Sequence, residues 1–285
     1  MQKHIQKHYI ILIITIFIHQ SCVHSQSGQP QKHAPQVQTG IDVLQHTDFN
    51  ILRNKRVGLV TNPTGVNAML KSTADILFES ESVNLVALFG PEHGVRGNFS
   101  AGDHVSNQTD PKTALPVFSL YGSQRKPSRE AMDMVDVIVY DIQDIGVRSY
   151  TYISTMGLVM EAAAEYDKEV VILDRPNPLG GLRIEGPLVE VGFFSFISQY
   201  PIPYVYGLTC GELAMLLNEE GMLPDAMRCN LKVVSMEGWK REMTFDQTGL
   251  QWVPPSPHIP SSMSSFFYAA TGIIGEIDPN LIGIG

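Results

Sequence analysis

Three apolar runs in this sequence each end in a cluster of acids and arginines. Val83 to Phe89 leads into Gly90-Pro91-Glu92-His93-Gly94-Val95-Arg96-Gly97. Val135 to Tyr140 leads into Asp141-Ile142-Gln143-Asp144-Ile145-Gly146-Val147-Arg148-Ser149-Tyr150-Thr151-Tyr152. Val170 to Leu173 leads into Asp174-Arg175-Pro176-Asn177-Pro178. A carboxyl group set between proline and histidine, as Glu92 is, suits general acid catalysis if partial burial raises its pKa. A loop-stabilising role competes for the same residue. Glycoside hydrolysis uses two carboxyl groups about 5 to 10 Å apart across the scissile bond, which makes Asp141 and Asp144 candidates for the second. With His93 they also suit a hard divalent cation, and either would serve as the acid at a helix N-terminus. Arg96, Arg148 and Arg175 suit forked recognition of a carboxylate, with an ion pair to a neighbouring Asp as the alternative. His93, Asp174 and Asn177 supply further polar groups for a bound ligand. Tyr150 and Tyr152 suit stacking on a sugar ring, or ordinary half-buried packing.

Residues so far apart meet only if strands carry them to one rim. In open α/β sheets, ligands bind outside the carboxyl ends of the strands. The pattern predicts strands near 56–60, 83–89, 117–120, 135–140, 170–173 and 231–234. Between them it predicts helices near 72–79, 128–134, 152–166, 209–220 and 264–275. Ser72-Thr73-Ala74-Asp75 and Thr209-Cys210-Gly211-Glu212 have capping-box form. Alternating strands and helices, with strands apolar almost throughout, indicate an α/β fold. A Rossmann-like, mainly parallel sheet with helices on both faces is expected. The texture changes after residue 181, giving a Rossmann-like domain over 40–205 and the start of a smaller α+β domain over 206–285. The apolar run at 280–285 reads as the opening of a strand, so an incomplete second domain is expected. No GxGxxG fingerprint, P-loop or GxSxG elbow is present, so no cofactor is expected and nucleotide binding has no motif support.

Composition narrows the class further. The 285 residues are 44% hydrophobic and 17% charged, ordinary for a globular protein, and the net charge of −9 disfavours nucleic-acid binding. Lys3 and Lys7 followed by the apolar Tyr9 to Ile18 read as an export signal over 1–22, too short to span a bilayer. His19-Gln20-Ser21-Cys22 resembles a relaxed lipobox, which makes Cys22 a candidate for lipidation and membrane anchoring; Val23-His24-Ser25 offers ordinary cleavage instead. Both readings place the protein outside the cytoplasm, in the periplasm, on the cell envelope or secreted. Residues 23–39 read as a polar linker. Cys210 and Cys229 would be free to pair in an oxidising compartment, and no cysteines have zinc spacing.

The three clusters, with Ile184-Glu185-Gly186-Pro187, resemble the motifs of the DUF1343 family in the expected order, from about Gly40 onward. Characterised members of that family are exo-β-N-acetylmuramidases of the NamZ type. The resemblance implies a Rossmann-like domain joined to a smaller one, with the site in the cleft between them. It implies release of terminal N-acetylmuramic acid from peptidoglycan-derived saccharides, with Glu92 matching the proposed catalytic glutamate. Two other readings stay open: a muropeptide- or sugar-binding lipoprotein without catalysis, and a metal-dependent hydrolase.

Overall fold

A computed structural model describes residues 37–97 and 108–277, with side chains to residue 272. The export signal, Cys22, most of the linker and the apolar run at 280–285 lie outside the described residues.

Seven strands form one sheet: β1 (Arg56–Thr61), β2 (Asn84–Gly90), β3 (Gln108–Thr109), β4 (Pro116–Ser119), β5 (Val137–Asp141), β6 (Glu169–Leu173) and β7 (Asn230–Val234). Their spatial order is β3-β4-β2-β1-β5-β6-β7. Every neighbouring pair is parallel except β3 with β4, a two-residue antiparallel edge where the sequence pattern predicted no strand. This is an α/β fold with a mainly parallel sheet.

Side-chain alternation along the strands divides the core into two layers. Val57, Leu59, Leu88, Val139 and Val171 pack against Ile41 and Leu44 of α1 (Gly40–His46) and Ala74 and Leu77 of α2 (Thr73–Glu79). Val60, Phe89, Ile138, Tyr140 and Ile172 face α3 (Arg129–Asp133), α4 (Tyr152–Glu165) and α5 (Cys210–Glu219). On α4, Met156, Val159 and Met160 are wholly buried, each contributing about 1.5–3 kcal/mol. Helices therefore cover both faces. Among the described residues no helix is long and apolar enough to cross a membrane.

The chain from β1 through α2 to β2 builds in one direction. From β4 through α3 it returns to the other side of β1 as β5. The loops after β1 and β5 thus diverge, opening a crevice at the carboxyl ends of these strands. A third, small core of Ile145, Val147, Leu179, Tyr204, Val205 and Ile259 sits at this rim. It packs against Trp252 and against Phe266 and Tyr268 of α6 (Ser262–Ile277).

Three sequence expectations change. Residues 206–277 do not begin a separate sheet: β7 pairs with β6 from Glu169↔Asn230 to Leu173↔Val234, and α5 packs on the same core. Ser72 makes no side-chain cap: its Oγ accepts from Arg96 Nη1 at 3.3 Å, and the Asp75 carboxylate is drawn off to Arg96 and Lys112. The sequence pattern predicted no helix at α1, whose box runs from Thr39, the last residue read as linker, to Asp42. The Thr209 box forms as expected, Thr209 Oγ1 accepting from Glu212 N and Glu212 from Thr209 N. Cys210 and Cys229 are buried free thiols.

Candidate active site

The turn after β2 is built by backbone demands. Gly94 N donates to the Pro91 carbonyl at 2.9 Å, and His93 (φ +70°) and Gly94 (φ +72°) are both left-handed. For a non-glycine residue that conformation costs about 1–2 kcal/mol, and such strain clusters at functional positions. A Cβ at Gly97 would lie 2.8 Å from Pro63 Cγ, so the turn rests directly on the loop after β1.

This geometry presents Glu92 half-buried, with no hydrogen bond or ion pair to any other described residue. Tyr152, the first residue of α4, stands within reach of its charge. Burial, with the Glu92 charge adding to it, pushes the Tyr152 phenol well up, while the Asn62 amide works against the shift. The phenol stays protonated and donates to the Pro255 carbonyl at 2.7 Å. Asn62 is clamped by Thr64, whose N and Oγ1 donate to Asn62 Oδ1 at 2.9 and 2.5 Å. Its Nδ2 is buried without a partner. The Tyr150 ring stands edge-on to Tyr152 at 5.1 Å, its hydroxyl beside Ser256 without closing a hydrogen bond. A carboxyl group without a partner, an unpartnered amide donor and two fixed aromatic rings converge from the ends of β1, β2 and β5. Of this set Glu92 is part-exposed and can exchange a proton with a ligand oxygen, while Asn62 and Tyr152 are buried.

Beneath this cluster the remaining acids and bases are tied to one another. Asp141 is fully buried, and its oxygens accept from Arg175 Nε at 2.5 Å, Arg175 Nη2 at 2.9 Å and Thr73 Oγ1 at 2.5 Å. The pair locks α2, β5 and β6 together, and Asp141 has no oxygen left for a substrate. Asp144 accepts from Gly146 N at 2.7 Å and from the Tyr206 hydroxyl, and its Oδ1 is buried without a partner. Burial raises its pKa to about 7, against the hydrogen bonds from Tyr206 and the backbone. Asp174 accepts from Gly211 N and Thr209 Oγ1 at the start of α5, at 2.8 and 2.9 Å. Burial raises it to about 6, against those bonds. This is the role of an acid at a helix N-terminus.

The arginines do not gather around Glu92. Arg96 Nε and Nη2 pair with Asp110 at 2.9 Å each, and Nη2 also meets Asp75 at 3.0 Å. The Arg96 guanidinium, against some cost of burial, holds Asp110 at about 2. Arg148 Nη1 donates to the Pro187 carbonyl at 2.8 Å and to the Ile202 carbonyl, and Nε to Ser198. It fastens the 185–205 excursion, and burial lowers its pKa. Asn177 bonds the Leu208 carbonyl and Leu179 N, each at 2.9 Å. Gly146 (φ +81°) packs so closely on it that a Cβ would lie 2.3 Å from Asn177 Oδ1. His93 is buried. The structure brings Glu92, Tyr150 and Tyr152, named from the sequence, together with Asn62 and Pro255, which the sequence reading did not name. Asn62 sat at the end of the first strand, the one signal that would have marked it. Among the described residues no three His, Cys, Asp or Glu side chains stand in metal-holding proximity.

A family model described as exo-beta-N-acetylmuramidase NamZ, N-terminal, matches residues 57–263. The peptidoglycan beta-N-acetylmuramidase NamZ of Bacillus subtilis (strain 168) is 53% identical over 240 residues, 84% of this chain and 57% of that protein. A solved DUF1343 family protein of Bacteroides fragilis NCTC 9343 is 61% identical with a TM-score of 0.80, covering 85% of this chain and 60% of that one. A second from the same strain is 37% identical with a TM-score of 0.71, covering 82% and 60%. The chain spans about three fifths of the length of each of these relatives.

Proposed function

The chain belongs to the NamZ N-terminal family, and from that premise we propose that it carries the catalytic acid of an exo-acting peptidoglycan glycosidase. The reaction is hydrolysis of the bond that holds a terminal N-acetylmuramic acid on a peptidoglycan fragment. The observation that carries this reading is Glu92: a half-buried carboxyl group at a strand end, without a partner among the described residues, beside Asn62 and Tyr152. Glu92 donates its proton to the glycosidic oxygen as that oxygen's bond to the anomeric carbon breaks; water adds to the anomeric carbon and gives up a proton to solvent, from which the Glu92 acid is restored. Asn62 and Tyr152 are buried and fix the surroundings of Glu92, while the part-exposed Tyr150 ring offers the sugar an apolar edge. Asp141 acts as a positioning residue through Arg175, because its oxygens are all taken up in the frame. Asp144 lies below the tyrosines and acts through Tyr206.

The N-terminal residues support export, with Cys22 as the residue for a lipid anchor at the cell envelope. The test of function is product analysis. A disaccharide with N-acetylmuramic acid at its non-reducing end, incubated with the chain, yields the two free sugars. The same saccharide blocked by a further residue at that end is left intact. Recovery of the unblocked disaccharide with bound but uncleaved sugar supports a binding protein instead and overturns the glycosidase reading.

A further inference from the structure

A small cleft, open to solvent, adjoins the loop after β1 and is lined in part by Thr64, Gln143 and Arg175. Gln143 and Arg175 are only 4% and 5% exposed. Gln143 Nε2 donates to the Asp144 and Pro176 carbonyls, both at 2.7 Å, which fixes the orientation of the amide. Its Oε1 accepts no hydrogen bond among the described residues. Arg175 uses Nε and Nη2 on Asp141 and the Val66 carbonyl; its Nη1 donates to no described residue. The cleft therefore carries one spare acceptor and one spare donor on buried, immobilised side chains. Its remaining walls are largely apolar, with Val66, Leu70, Phe245 and Val253 among them.

These features select a ligand chemistry. Asp141 neutralises the Arg175 charge at 2.5 and 2.9 Å, so the cleft has no net positive charge to draw an anion. What remains is a neutral donor–acceptor pair against an apolar surface, the usual make-up of a small-molecule pocket. A secondary amide bearing a methyl group complements it at all three points.

We propose that this cleft binds the acetamido group of an amino sugar. The carbonyl accepts from Arg175 Nη1, the N–H donates to Gln143 Oε1, and the methyl group packs on the apolar wall. The inference rests on the reading that the substrate is an N-acetylated saccharide. It adds a subsite that no carboxylate-binding role for Arg175 would provide. Asn62, at the Glu92 cluster, and Thr64, at this cleft, are two residues apart and directly hydrogen-bonded.

The test is titration calorimetry of the parent chain with N-acetylmuramic acid and with muramic acid, which lacks the acetyl group. Two variants follow: Gln143→Met, which removes the acceptor, and Ala68→Phe, which fills the cleft from a part-buried position. The parent binds the acetylated sugar at least about tenfold more tightly, as loss of one buried hydrogen-bond partner implies. Both variants reduce that preference to less than about threefold. A parent without preference, or variants that keep it, overturns the site. If Ala68→Phe melts early, Val253→Trp fills the same space from the opposite wall and is read in the same way. Hydrolysis of the disaccharide is measured in parallel. Acetyl preference without hydrolysis sinks the functional reading and leaves the cleft. Hydrolysis with variants that bind like the parent sinks the cleft alone.

Discussion

Asp141 decides how the acids of this rim divide between chemistry and support. Replacing it with Asn keeps the shape and removes the charge that Arg175 faces. Both groups are buried, with side-chain exposures of 0% for Asp141 and 5% for Arg175. Three short hydrogen bonds, two from Arg175 and one from Thr73, converge on the two carboxylate oxygens. Removing one partner of such a pair costs about 3–5 kcal/mol, chiefly because the other charge stays buried and uncompensated. For a chain of this size, 1 kcal/mol corresponds to about 2–4 °C in Tm, so Asp141→Asn should melt about 6–20 °C below the parent. Replacing both partners with apolar residues of similar volume, Asp141→Leu with Arg175→Met, removes the uncompensated charge and should recover at least half of that loss. The assay is thermal unfolding by circular dichroism of the parent, both single variants and the double variant, with turnover measured well below every Tm. An Asp141→Asn protein that keeps the parent Tm but loses turnover would return Asp141 to the reacting groups. A double variant whose loss equals the sum of the singles would show that the pair is not coupled. Either result refutes a supporting role.

Other outcomes follow from the same geometry. Asp144 titrates near 7 when folded because of burial, against about 3.9 unfolded. The folded state therefore holds its proton more firmly, and this stabilisation, complete below the unfolded value, is lost as pH rises through 7. Asp144→Asn should gain Tm relative to the parent between pH 5 and 8; parallel curves would contradict this. Arg96 works with the opposite sign. It holds Asp110 at about 2, so its contribution is present above the unfolded carboxylate value and is lost as pH falls through 2. Arg96→Met should lower Tm at pH 7, with the gap to the parent closing toward pH 2; a constant gap would contradict the ion pair. Gly146→Ala combines a left-handed φ with a Cβ 2.3 Å from Asn177 Oδ1. It should cost about 2–3 kcal/mol in urea unfolding, and an unchanged midpoint would show that the loop yields.

The sheet was legible because its strands are apolar almost throughout and its helices carry period and caps. Phe89 and Tyr140 marked buried strands, and Thr209 with Glu212 marked a helix start that formed as written. The errors have physical causes. The texture change after residue 181 read as a domain boundary, yet β7, an edge strand in which Asn230 and Lys232 alternate with apolar residues, pairs with β6 in the same sheet. Ser72 and Asp75 had cap form, but Arg96 and Lys112, distant in sequence, compete for the Asp75 carboxylate. Spacing alone does not tell an arginine held by an acid from one left for a ligand. Arg96 meets Asp75 and Asp110 only because the turn after β2 folds onto α2, and Arg175 meets Asp141 only because β5 and β6 are neighbours. Glu92 was legible as a candidate from its flanking proline, histidine and glycine. That it lacks a described partner while the other rim acids have one emerged only in three dimensions.

The central claim is that Glu92 protonates the leaving sugar, and leaving-group dependence tests it most directly. Turnover of Glu92→Gln is compared with the parent on the natural disaccharide and on a dinitrophenyl glycoside of N-acetylmuramic acid, whose leaving group needs no proton. Loss of a general acid predicts a fall of about 10²–10⁴-fold on the disaccharide, with less than about tenfold on the activated glycoside. Equal losses on both substrates, or parent-like turnover on the disaccharide, would contradict it.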